Sequence, residues 1–175
     1  MKKLIALGLA LLCILTSCGG SLSYFISSED LAQKSMGSLL DALEEGNQKK
    51  VQRMFAKTAV RKAENFEKQL EDLFDFFKGD IEHWEISGGV VDYRSSNFGH
   101  NFGEIEGKCT VTTENSNYTI VFRERVRDNV RWGNVGIHSL RVYHTEDEEI
   151  YFPRVNGSAR DWSLLQIPGI FTPQE

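Results

Sequence analysis

Ile105-Glu-Gly-Lys-Cys-Thr-Val111 and Tyr118-Thr-Ile-Val-Phe-Arg-Glu-Arg-Val126 are the stretch that decides the fold. In the first half Ile105, Gly107, Cys109 and Val111 share one face. Glu104, Glu106, Lys108, Thr110 and Thr112 share the other. In the second half Tyr118, Ile120, Phe122, Glu124 and Val126 alternate with Arg123, Arg125 and Arg127. A period of two is the signature of a half-buried strand. Asn115-Ser116 between them suits a tight turn, because Asn tolerates positive φ. A turn centred there pairs Val111 with Ile120 and Cys109 with Phe122, apolar against apolar. A slip of one residue would set Val111 against Thr119 and turn Arg123 into the core. The same register places Gly107 opposite Glu124. Parity across the next hairpin places Glu124 opposite His138 or Leu140.

The pattern extends in both directions. A fourth strand is expected over 135–144, with His138, Leu140 and Val142 together. A first strand starts at Ile81, with Glu82, Trp84 and Ile86 on one face. Gly88-Gly89 interrupts it as a bulge or bend, and residues 90–93 resume it. Residues 94–101 are expected to form a polar loop.

Upstream the period is helical. Ser27 and Asp30 form a capping box, followed by Ala32, Met36, Leu39, Leu40 and Leu43 on one stripe. Gly46 ends that helix, and Asn47 caps a second carrying Val51, Met54 and Phe55. A third begins near Asn65, shows Phe66, Leu70, Leu73, Phe74 and Phe77, and stops at Gly79. These Phe and Met stripes have the spacing of a packed core rather than of a cofactor box. Three N-terminal helices on a bent antiparallel sheet of about four strands make an α+β domain. Trp162, Leu164, Leu165, Ile167, Ile170 and Phe171 are too apolar for a free tail. They are expected to fold back over the domain or the sheet edge, or to bind a partner.

The N-terminus carries a separate message. Lys2 and Lys3 precede an apolar run over 4–15, and Leu15-Thr16-Ser17-Cys18 closes it. A basic start, a short apolar core and small residues form a secretory leader. With Cys at the cut, the expected product is a diacylglycerol on the Cys18 sulfur, in palmitate-type chemistry. The run is short for a membrane span, which needs about 20 apolar residues. The expected organisation is a signal peptide at 1–17, a tether at 18–27, a domain at 28–144 and a packed C-terminal extension at 145–175. Such a protein sits outside the cytoplasm, lipid-anchored to the cell membrane.

Charge and cysteines exclude several classes. The net charge is −5, and losing Lys2 and Lys3 takes it to −7. An acidic chain without clustered Lys and Arg is a poor nucleic-acid binder. Cys13 leaves with the leader and Cys18 is lipidated, so Cys109 has no thiol to pair with. No intramolecular disulfide, cysteine-ligated metal or cofactor is expected.

Phe77-Phe-Lys-Gly-Asp, Asn117-Tyr-Thr-Ile-Val-Phe, Val135-Gly-Ile-His-Ser-Leu-Arg-Val and Pro168-Gly-Ile-Phe carry a resemblance. The chain resembles a family of short, uncharacterised lipoproteins of Gram-positive bacteria. That family looks like the cone-shaped superfamily of nuclear-transport-factor-two and cystatin-like folds. The resemblance implies a fold and a location but brings no catalytic residues. Residues 58–64 are too short for the β-hairpin the superfamily usually carries, so a smaller, more open cone is expected.

The candidate chemistry is thin. Glu124 has the parity of the apolar face, with Gly107 leaving room beside it and His138 across from it. A carboxylate and an imidazole in a cone could do acid–base work. The blander reading is a solvated or Arg-paired Glu124 at the rim. Trp84, Phe122, Glu124 and His138 are the candidate ligand-binding residues. His83, His100 and His144 lack metal-ligand spacing and read as surface residues. Arg123, Arg125, Arg127 and Arg131 could hold an anion, but cross-strand pairing with Glu104 and Glu106 explains them better. The acidic run 146–149 lacks the glycine and alternating ligands of a calcium loop and reads as a solvated linker. Asn117-Tyr-Thr and Asn156-Gly-Ser match a glycosylation sequon without functional weight here. The leading expectation is a non-catalytic surface domain that binds a small ligand or a partner protein. The alternatives are a cone-fold enzyme using Glu124 and His138, or an accessory subunit of a surface complex.

Overall fold

A computed structural model describes residues 26–155 and 159–173. The expected leader, Cys18, the tether up to residue 25 and the Asn156 sequon lie outside the described residues.

Helix α1 spans Ser28–Glu44, and Ser27 caps it by accepting the Asp30 N–H at 3.0 Å. It buries Ala32, Met36, Leu39, Leu40 and Leu43, the expected stripe. Asn47 caps α2, Gln48–Met54, by accepting the Lys50 N–H at 3.0 Å. The expected second helix through Phe55 is cut short. Phe55 is extended and bridges Ile137 in parallel, and Ala56 N–H donates to the Ile137 carbonyl at 2.9 Å. A further helix, α3 at Lys57–Lys62, follows. Gly136 permits the approach that ends α2, since a Cβ there would lie 2.6 Å from the Met54 oxygen. Helix α4 spans Phe66–Phe76 and buries Phe66, Leu70 and Leu73. Among the described residues four helices therefore precede the sheet, not three.

The sheet has five strands, the first four side by side in chain order and the last beside the fourth. They are β1 Ile81–Asn97, β2 His100–Thr113, β3 Asn117–Asp128, β4 Gly136–His144 and β7 Gly169–Phe171. The expected count was about four; the fifth strand is the tail. All pairs are antiparallel except β4 with β7. The Gly88-Gly89 bulge occurs as expected, with both glycines at positive φ. The polar loop expected over 94–101 does not. Arg94 pairs Gly103 and Asn97 pairs His100, so β1 and β2 run on as a two-stranded arm closed by Phe98-Gly99. Backbone pairing sustains a strand there without apolar alternation.

Face parity in β2 and β3 holds as far as Arg125, but the register is two residues off. Val111 pairs Tyr118, Cys109 pairs Ile120 and Gly107 pairs Phe122. The cause is Thr113. Its hydroxyl accepts the N–H groups of Asn115 and Ser116 at 3.3 and 3.2 Å, which tightens the turn one residue early. A bulge between Gly103 and Glu104 then shifts the end of β3. Arg127 consequently leaves the face of Arg123 and Arg125.

The central strands of the sheet are covered on both sides. Helices cover the face of Cys109, Ile120, Phe122, Leu140 and Val142. On the outer face Val121 and Tyr143 pack with Phe152 and Leu165 from the C-terminal extension. That extension holds α5 at Glu148–Tyr151, a two-strand ribbon of β5 Arg154–Val155 and β6 Ala159–Arg160, and a 3₁₀ turn at Trp162–Gln166. Glu148 is no solvated linker residue: Lys108 and Arg160 pair with it at 3.1 and 3.2 Å. Ile170 pairs Leu140, while Ile167 stays exposed.

Candidate functional site

Glu124 and His138 were expected to meet, and the sheet separates them. Glu124 alternates with Arg123 and Arg125, so its side chain points to the helices. Its cross-strand partners are Ile105 and Ile137. Burial pushes its carboxyl up, while the Ser35 hydroxyl of α1 draws it down. A bulge in the β3–β4 pairing pairs Arg123 with Ser139 and Glu124 with Ile137, leaving His138 as the extra residue. His138 therefore does not share a face with Leu140 and Val142. Burial first, then Arg125 and Arg123, favours its neutral ring, and Glu104 opposes them. Those three charges stand on the outer face, and Lys62 of α3 also disfavours the charged ring. Glu124 Oε2 and His138 Nε2 are both buried without a hydrogen-bond partner among the described residues. Those two atoms do not hydrogen-bond each other.

The outer face holds a compact ionic network instead. Arg123 and Arg125 both clasp Glu104, at 2.9 and 2.7 Å, and Arg125 also reaches Asp128 at 3.1 Å. The cross-strand pairing was expected; its burial was not, for Glu104 and Glu106 are almost fully covered. Asp128 anchors the loop between β3 and β4. It accepts from Arg131 N–H at 2.7 Å, Val130 N–H at 3.2 Å and Asn134 Nδ2 at 3.2 Å, and it contacts His100 Nε2 at 2.9 Å. His100 is thus a loop anchor rather than a free surface residue. His144 is also engaged: it stacks on Tyr118 at 5.0 Å and contacts Ser116 Oγ at 2.8 Å. His83 is exposed as expected. Among the described residues no group of three His, Cys, Asp or Glu is placed to hold a metal.

The concavity suited to a ligand lies at the far end of the domain. A cleft of about 590 Å³ opens between the start of α1, the β1–β2 arm and the β3–β4 loop. Leu31, Phe102, Ile105 and Val126 form apolar wall, and Trp132 closes one side. Arg127, displaced by the bulge, stands at its mouth with Asp92. Ser28 Oγ donates to Asp92 at 2.6 Å and Arg94 pairs with it at 2.6 Å, which ties α1 to β1 along the rim. Arg94, with help from Ser28, holds the Asp92 carboxyl below its usual range against some burial. A second hollow, of about 690 Å³, separates α4 from the residues after β7. Lys68, Asp72 and Asp75 line it beside Phe76 and Pro173.

None of the four expected ligand-binding residues lines the cleft. Trp84 packs on α1, where a Cβ at Gly37 would lie 3.3 Å from its ring. Phe122 is fully buried against Gly107. Glu124 stands behind the wall that Ile105 and Val126 form. Cys18 lies outside the described residues. The sequence did carry one signal for the cleft: the aromatic Trp132, which lines it, stands between charged and polar loop residues.

A family model described as a domain of unknown function, DUF5104, matches residues 38–146. It covers the second half of α1 through the end of β4. No curated protein matches the chain.

Proposed function

This chain belongs to the DUF5104 family, a domain of unknown function, and we propose that it is a lipid-anchored surface protein whose cleft binds a small amphipathic molecule. The cleft carries this reading. It is large enough for a small ligand, apolar along its wall and polar at its mouth, the usual make-up of a ligand site. Arg127 at the mouth favours an acidic head group on an apolar body. Helices packed on one face of a mostly antiparallel sheet are compatible with the cone-shaped superfamily that the sequence resembles. The leader and Cys18 support a location outside the cytoplasmic membrane. The strand pairing leaves His138 out of register with Glu124, so the cleft and not an acid–base pair carries this reading.

A titration with anilinonaphthalene sulfonate, an apolar fluorophore with one acidic group, tests the cleft. The native chain should bind it, Arg127→Ala should weaken binding several-fold, and Val126→Trp should fill the space and abolish it. Retained folding of both variants is checked by thermal unfolding. Equal binding by the native chain and Val126→Trp overturns the reading.

A further inference from the structure

We propose that the end of the domain carrying Phe98, Val130 and Trp132 docks on the surface of the bilayer that holds the Cys18 lipid; this rests on the lipid-anchor reading above. Phe98 is the first observation. It is fully exposed at the tip of the β1–β2 arm, and its φ is 46°. Gly99 follows at φ 81°, so both turn residues are left-handed. That turn type favours Asn-Gly. A bulky side chain in the left-handed region is strained, and a water-exposed ring gains nothing from burial. This chain accepts both penalties at one residue, which a surface built only for water has no reason to do.

The neighbouring loop repeats the pattern. Trp132 is 76% exposed and Val130 58% exposed. The two loops are fastened together. Asn101 N–H donates to Asn129 Oδ1 at 2.7 Å, and Asn129 Nδ2 donates to the Gly99 carbonyl at 2.8 Å. The apolar tips are therefore preorganised and lose little conformational freedom on docking. Ordered aromatic residues with water on one side are the kind that settle at a membrane interface.

The position of the anchor selects the occupant. Ile26, the first described residue, lines the same cleft as Trp132 and is itself exposed. The eight residue-to-residue steps from Cys18 to Ile26 reach at most about 28 Å. A lipid on Cys18 thus holds this end, and not the opposite one, toward the bilayer. Arg127 and Arg131 flank the tips and suit anionic head groups, while Asp128 between them is turned inward and saturated with hydrogen bonds. Glu29 and Asp30 in the first turn of α1 offset part of that charge. The aromatic contact therefore outweighs the electrostatic one.

The test uses the full lipidated chain in vesicles of phosphatidylglycerol and phosphatidylcholine with brominated acyl chains, which quench nearby tryptophan. Trp84 lies against Gly37 and Trp162 against Phe152, so Trp132 alone should be quenched. The quenched fraction should disappear in Trp132→Phe. Phe98→Asn should at least halve it while leaving thermal stability equal or higher, because the turn then has the residue it favours. A purely structural Phe98 would instead lower stability. Quenching that is equal in the native chain and Trp132→Phe overturns the docking. Mass analysis of the N-terminal peptide reads the anchor separately. A modified Cys18 without Trp132 quenching rejects the docking alone, and an unmodified Cys18 rejects the anchor on which it rests.

Discussion

The ring of Phe122 lies over Gly107 so closely that a Cβ there would come 2.8 Å from its Cζ. Glycine is required by space, not by backbone angle. Gly107→Ala should overpack this point and destabilise the fold by about 1–3 kcal/mol in urea unfolding. Phe122→Leu should recover part of that loss in the double variant, since the two sites share one contact. Additive losses would place the ring elsewhere. Phe122→Ala alone should cost about 3–5 kcal/mol.

Cys109 is fully buried, and burial pushes its thiol up to about 12. The thiolate is the reactive species, so a thiol reagent at neutral pH should modify the folded chain only as fast as it opens. Addition of urea past the unfolding midpoint should release rapid labelling. Fast labelling of the native protein would show that the β2 face assignment is wrong.

Stability should fall in acid through Asp128. Burial raises its carboxyl, but the Arg131 and Val130 N–H groups, the Asn134 amide and His100 together hold it far below its usual range. A depressed native pKa gives stability that is present above the unfolded value, about pH 4, and is lost as pH falls below it. Asp128→Asn should cost about 2–3 kcal/mol at neutral pH by leaving donors unpaired. Its unfolding free energy should then change less between neutral pH and about pH 3 than that of the native chain. An unchanged acid slope would assign the loss to other carboxylates.

The C-terminal extension should behave as part of the domain. Gln69 Oε1 accepts the Ile170 N–H at 2.9 Å, and Ile170 is almost fully buried. Ile170→Asp should lower stability by several kcal/mol, because a buried charge would lack a partner. Limited proteolysis of the native chain should retain residues 165–171, and the variant should lose them. Early removal of that segment from the native protein would show that it does not hold.

Anchoring should depend on one atom. Cys18→Ala should move the protein from membrane to supernatant, since each buried CH₂ of a lipid contributes about 0.8 kcal/mol. Mass analysis of the native protein should find a modified Cys18 as the N-terminus. An unmodified chain in the medium would count against it.

Periodicity made the helix stripe of α1 and the faces of β2 and β3 legible, because side-chain alternation is a local property. Register was not, since one hydroxyl at Thr113 moved the turn and parity survives a shift of two. The bulges at Gly103–Glu104 and Arg123–Glu124 were invisible for the same reason: each depends on a partner strand. They carried Arg127 into the cleft and His138 away from Glu124. The long β1–β2 arm escaped notice because its residues alternate polar with polar. The cleft itself arises where that arm, α1 and a loop converge, and no single segment records it.

The parallel strand at the C-terminus has a consequence for the order of events. Ile170 meets Gln69 across 101 residues of chain, and β7 can join the sheet only once β4 is in place. Contacts this distant in sequence form slowly, because loop closure precedes any reward. A chain emerging N-terminus first, from a ribosome or a translocation channel, reaches this step last. Until then the outer face of β3 and β4, with Val121 and Tyr143, stands uncovered. That interval is when the protein is most open to aggregation and to proteases, and a helper that shields apolar sheet surface would act there.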